Sequence, residues 1–178
     1  MNKDEIENIF LDKQFTDFKW IAGNQIKVAQ WVRIKCMYGC VSYGKKSACP
    51  PNTPSVPDCR EFISEYKAVV IFHFQEKIDN DEMLLQWCKA TNKELLRIEK
   101  ELFLLGYHKA FALLVDECNF CSDCVSERTE CKNKKMARPC TEAMAIDVYG
   151  TVRELDYPIA VLADKNETMN RYGILLID

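Results

Sequence analysis

Two apolar runs, residues 68–74 (AVVIFHF) and 111–115 (FALLV), flank one long amphipathic stretch. Apolar runs of this length are typical of strands covered on both faces. Between them, Asp79, Asn80 and Asp81 offer a helix start, and Leu84, Cys88, Leu95, Ile98, Leu102 and Leu105 recur at helical spacing. Gly106 supplies the stop. The three segments make a central β–α–β unit, whose crossover is expected to be right-handed. Residues 25–34 (QIKVAQWVRI) alternate apolar and polar side chains, which predicts a strand. Ser55 can cap a short helix with Pro57 in its first turn and Asp58 three residues after the cap. Its apolar stripe would be Val56, Cys59, Ile63 and Tyr66. Residues 139–155 read as mainly helical, and residues 159–162 and 174–177 as closing strands. With no repeat or linker, residues 1–178 are expected to form a single domain. Its class is α/β or α+β, a sandwich with two cysteine-rich loops hung on the ends of its elements.

A chain of 178 residues, 48% of them hydrophobic, is long enough to bury a sizeable core. The net charge of −3 gives no basic surface for releasing counterions, so no nucleic acid partner is expected. Met1 to Phe10 is charged and polar, without the apolar centre of a secretory signal. No apolar run approaches the roughly 20 residues that span a bilayer, so no membrane partner is expected. The expected setting is the cytoplasm.

Ten cysteines in such a chain call for a reason. A secreted disulfide scaffold would be shorter and would carry an export signal, and in a reducing compartment closely spaced thiols read first as metal ligands. Cys118, Cys121 and Cys124 follow the second apolar run at a double x2 spacing, and Cys131 comes after six intervening residues. Bacterial ferredoxins use this triplet spacing to hold three corners of an iron–sulfur cubane, with a fourth cysteine from further along. Structural zinc sites more often use two separated Cys pairs. The triplet therefore favours iron–sulfur clusters, of [4Fe-4S] type by their spacing, with zinc as the alternative. Asn119, Ser122, Asp123 and Ser126 make the loop polar, a poor place for inert thiols. Cys131 is the nearer fourth ligand; Cys140, placed at an expected helix start where the dipole favours a thiolate, is the competing one. Lys132, Lys134, Lys135 and Arg138 would offset cluster charge, dock an acidic electron carrier, or form a solvated basic face.

Cys36-x3-Cys40-x8-Cys49 is looser. Cys49-Pro50-Pro51 matches the Cys-Pro end of ferredoxin motifs. Cys59, in the first turn of the proposed helix, is the candidate fourth ligand, against a core role on that helix's apolar stripe. Cys88, on the apolar face of the long helix, reads as a small hydrophobe. His73 and His108 read as structural, Glu142 and Asp147 as helix-surface carboxylates, and Trp20, Trp31 and Trp87 as packing.

Taken together, Cys36-x3-Cys40-x2-Tyr43-Gly44, Cys49-Pro50-Pro51-x2-Pro54 and the Cys118–Cys121–Cys124–Cys131 group resemble the DUF2284 family of predicted metal-binding proteins. Arg138-Pro139, Glu142-Ala143, Ile146-Asp147-Val148 and Tyr172-Gly173 extend the resemblance from Cys36 to near the end. It implies metal binding through these cysteines and supplies no reaction or substrate. Family members often carry serine after the Arg-Pro pair where this chain has Cys140, so the resemblance does not make Cys140 a required ligand.

The leading expectation is a protein with two iron–sulfur clusters that transfers electrons or supports a redox partner protein. No glycine-rich dinucleotide loop accompanies the cysteines. One alternative is an enzyme whose first cluster, with three cysteine ligands, keeps an open iron corner as a Lewis acid. The other is a zinc-stabilised interaction module. The short helix after the first loop spans roughly 16 Å, enough to bring both cysteine groups to one side of the sheet.

Overall fold

In the computed structural model, residues 1–164 and 167–178 are described, and they form an α+β domain. In chain order the elements are α1 (Lys3–Asp12), β1 (Phe18–Ile21), α2 (Gln30–Gly39), α3 (Val56–Ser64), β2 (Val69–Glu76), α4 (Asp81–Leu104), β3 (Phe111–Leu113), α5 (Val148–Arg153) and β4 (Met169–Leu176). The sheet order is β1-β2-β4-β3, and every neighbouring pair is antiparallel. Because β2 and β3 both run against β4, they are parallel to each other with β4 inserted between them. The expected β–α–β unit is thus present, but split.

Alternation along the strands sends side chains to two cores. On one face Val70, Phe72, Leu114 and Leu175 pack with Phe10 of α1 and Leu95, Ile98 and Leu102 of α4. On the other, Val69, Ile71, Leu113 and Ile174 pack with Ile63 of α3 and Val152 of α5. The signals at helix starts act as the sequence suggests. Ser55 and Asp58 form a capping box on α3, and the Asn80 side chain accepts from the Met83 amide to open α4. Gly106, at φ +98°, follows the end of α4 in a conformation that favours glycine.

Three expectations are corrected. Residues 25–34 are not a strand: Ile26 and Val28 do point inward on extended chain, with Val28 bridged to Ile146, but α2 begins at Gln30. In that helix only Val32 is buried, so the later apolar positions belong to an outward face rather than to a strand's alternation. Cys36 accordingly lies inside α2, not in a loop. Residues 159–162 form no strand, because β4 already occupies the sheet's inner position and Val161 is left 80% exposed. Residues 139–155 hold only a 3-10 turn (Glu142–Met144) and the six-residue α5. The chain before that turn instead runs beside the end of β3, where the Leu114 amide donates to the Pro139 carbonyl and Leu114 bridges Cys140 in parallel sense. No helix among the described residues is long and apolar enough to cross a membrane.

Candidate metal centres

The first group is assembled from three parts of the chain. Cys36 and Cys40 stand four residues apart on α2 and at its C-terminal cap, so their thiols share one helix face. Cys49 comes from the loop that follows. Cys140 comes from the segment paired with the end of β3, far along the chain from Cys49, and its side chain accepts from the Ala143 amide at 3.4 Å. Cys36, Cys40, Cys49 and Cys140 all line one cavity of about 1010 Å³, which Cys88 and Glu142 also border. Burial pushes the Cys36, Cys49 and Cys140 thiols up, Cys49 to about 12, and the mutual proximity of the sulfurs and of Glu117 or Glu142 adds to it. Such thiols are held protonated in the metal-free chain; binding a cation there means displacing protons.

Cys59 lies elsewhere. It is fully buried on α3 within the core beside Ile63, where its Sγ donates to the Pro54 carbonyl at 3.5 Å and stands 4.0 Å from Met144 Sδ. Arg33 of α2 holds this corner together: its guanidinium donates to the Pro54 and Ala143 carbonyls at 3.1 and 2.9 Å.

The second group begins where β3 ends. Asn92 of α4 accepts from the Val115 amide and donates to the Val115 carbonyl, at 2.9 and 2.8 Å, and so fixes the chain's exit from the sheet. Asp116 then takes a left-handed conformation (φ 52°), pairs with Arg171 at 3.4 Å and accepts from the Cys88 thiol at 3.3 Å. The chain from there to Arg138 is irregular apart from a 3-10 turn (Arg128–Glu130). Burial raises the Cys118 thiol, with Cys124 and Cys121 as further negative neighbours. Asn133 donates to Cys121 Sγ at 3.0 Å. Burial alone would raise the Cys131 thiol, but bonds from Ser47 and the Asn133 amide, with the Arg128 guanidinium nearby, hold it below its ordinary value.

The two cysteine-bearing segments interlock. Ser47, buried in the first loop, places its Oγ 3.9 Å from Cys124 Sγ. Lys46 pairs with Glu117, and Asn52 donates to the Ser126 carbonyl at 2.5 Å. Both groups therefore sit at one end of the molecule. Among the described residues no three His, Cys, Asp or Glu side chains converge tightly enough to hold a single ion. Cys36, Cys40, Cys49 and Cys140 stand around open space, whereas Cys118, Cys121, Cys124 and Cys131 do not line that cavity. The donor set of both groups is all sulfur, the chemistry that suits iron–sulfur clusters and zinc alike.

Of the other residues weighed from the sequence, Cys88 is 2% exposed at the cavity's inner edge, where burial and Asp116 push its thiol up to about 12. His73 is held between Asp17 and Asn170 at 2.6 and 2.8 Å, and His108 stands edge-on to Phe103; neither borders the cavity. Trp20 and Trp87 pack against Phe10 and Phe74, whereas Trp31 is half-exposed at the cavity mouth. Asp147 caps α5, and Glu142 is exposed on the cavity rim. Arg138 is not part of a free basic face: its guanidinium is paired with Glu99 of α4. Ser47 and Asn133 carry no spacing signal and come into view only through the fold.

No curated protein and no solved structure gives a significant match. The family model described as "Predicted metal-binding protein (DUF2284)" matches residues 19–177, nearly the whole chain and both cysteine groups. On that match the chain belongs to the DUF2284 family of predicted metal-binding proteins.

Proposed function

We propose that this chain holds two iron–sulfur clusters and works in electron transfer. Cys118, Cys121, Cys124 and Cys131 would ligate one, and Cys36, Cys40 and Cys49 the other, with Cys140 rather than Cys59 as its fourth thiolate. The observation that carries the reading is that Cys36, Cys40, Cys49 and Cys140 share a wide cavity directly beside the second cysteine segment. The room around these sulfurs suits a polynuclear group, and two such groups side by side supply one-electron storage at short range. The preference for Cys140 is supported by Cys59 lying in the core beside Ile63 and Met144 rather than on that cavity.

Anaerobic reconstitution tests it. The parent should bind about eight irons with matching sulfide and absorb visible light, as two cubanes require. Cys121→Ala and Cys140→Ala should each hold about half the iron of the parent, and Cys59→Ala the full amount. A colourless protein with stoichiometric zinc would replace this reading with the zinc-stabilised module. Full iron in Cys140→Ala with half in Cys59→Ala would restore Cys59 as the ligand.

A further inference from the structure

Ser47 sits in the loop that carries Cys49, yet its hydroxyl serves the other cysteine group. The residue is 1% exposed, and its Oγ lies 3.9 Å from Cys124 Sγ and also bonds Cys131. A buried hydroxyl needs a partner, and between a serine and a metal-bound thiolate only the hydroxyl can donate. The first loop therefore supplies a donor, shared between two sulfurs, to the second group. Asn133 adds two more: its Nδ2 donates to Cys121 Sγ at 3.0 Å and its backbone amide to Cys131. The amides of Phe120 and Arg138 do the same for Cys118. Each sulfur of the second group thus has a donor beside it.

The first group is built differently. Cys140 accepts from the Ala143 amide and Cys36 bonds Cys40, but among the described residues no hydroxyl, amide or guanidinium donates to Cys36, Cys40 or Cys49. Charge runs the same way. Glu117 and Glu142 weigh on the first group, offset in part by Lys46 and Arg33, whereas Arg128 stands beside Cys131. Arg128 Nη1 is buried with no hydrogen-bond partner, a donor that suits a negatively charged neighbour. Asp123, Glu127 and Glu130 on that segment are exposed and cancel in number against the exposed Lys132, Lys134 and Lys135. Solvent exposure does not separate the groups, since each has one exposed, one buried and two half-buried cysteines.

Donors and cations beside ligand sulfurs stabilise the added negative charge of a reduced cluster and raise its potential; carboxylates lower it. We propose that Ser47 and Asn133 set the order of reduction in this chain, holding the second centre at the higher potential so that it takes the first electron. Both touch sulfur rather than metal and are positioning residues. One electron from an external reductant then rests on the group Cys118, Cys121, Cys124 and Cys131, and the group around the cavity stays oxidised. The order rests on the two-cluster reading; which group leads follows from the donors.

The test is a titration of the full chain, loaded anaerobically with iron and sulfide, by dithionite under electron paramagnetic resonance. Cys40→Ala and Cys121→Ala supply the separate signals of the second and first centres. With one electron per chain, the parent should show the Cys40→Ala signal. S47A/N133A should keep the parent's iron and lower the equilibrium constant for reducing that centre about tenfold, a downward shift of about 59 mV for one electron, with the first centre unmoved. N133A alone, at an exposed residue, should give part of that shift, and it decides the matter if the double variant binds less iron. The Cys121→Ala signal or an equal mixture at one electron overturns the proposal and leaves the cluster reading intact. So does a potential that neither variant moves, or that moves equally at both centres. A parent that binds no iron sinks the cluster reading itself, and the proposal with it.

Discussion

Arg138 shows how far a side chain's work lies from its sequence neighbours. Among Lys132, Lys134 and Lys135 it reads as one more basic surface residue. In the fold it turns inward, donates from Nε to Glu99 Oε2 at 3.0 Å, and lies over the Phe111 ring at 5.2 Å. Glu99 is nearly buried and also accepts from the Ala112 amide at 2.7 Å, so the pair fastens the end of the second cysteine segment to α4 and to β3. Truncating one partner of such a pair leaves the other charge desolvated. Arg138→Leu should therefore cost about 3 kcal/mol in urea unfolding, more than a solvated arginine contributes. A loss below about 1 kcal/mol would mean that the Ala112 amide and water satisfy Glu99 without its arginine. The same distance in sequence hides which group Cys140 belongs with: by spacing it competes with Cys131 for the second group, and the fold sets it on the cavity of the first. The spacing of the first three cysteines is local and could be read; the fourth thiol arrives through backbone pairing between the 139–141 segment and β3, which leaves no motif.

Elements with long, consistent patterns were legible, and short or outward-facing ones were not. β2 announces itself as a nearly continuous apolar run, and α4 because its 24 residues keep one helical period. The four residues of β1 are too few to establish alternation, and α2 reads as a strand because its apolar residues do not face the core. The 3-10 turn Gly23–Gln25, ahead of α2, has its own requirement. Gly23 donates to the Tyr66 carbonyl at 2.8 Å, and a Cβ there would lie 2.0 Å from the Ile63 carbonyl oxygen, a backbone atom that cannot swing away. Only glycine lets this turn meet the end of α3 so closely. Gly23→Ala should destabilise the domain by about 3 kcal/mol or more. Gly39→Ala is the control: a Cβ there meets nothing within 4 Å, and the last residue of α2 should gain a few tenths of a kcal/mol or stay neutral. Equal effects at the two glycines would show that close approach is not what Gly23 provides.

At the scale of the molecule, the split β–α–β arrangement decides where the two cysteine groups meet. β3 delivers the second segment at the edge of the sheet, beyond β4, and Asn92 sets its direction as it leaves. The first segment reaches the same end through α2, and α3 then returns the chain to β2. Ser47 against Cys124, the Lys46–Glu117 pair and the Asn52–Ser126 bond hold the segments in contact. If both groups carry clusters, unpaired electrons on the two should sense each other. Electron paramagnetic resonance of the fully reduced parent should then show broadened or split features, and Cys40→Ala, left with one cluster, should give a single simple signal. Ser47→Ala keeps every thiol and should keep the interaction, since the contact between the segments does not rest on one hydroxyl. Two independent signals in the parent, summing those of the single-cluster variants, would separate the centres in space and assign them separate roles.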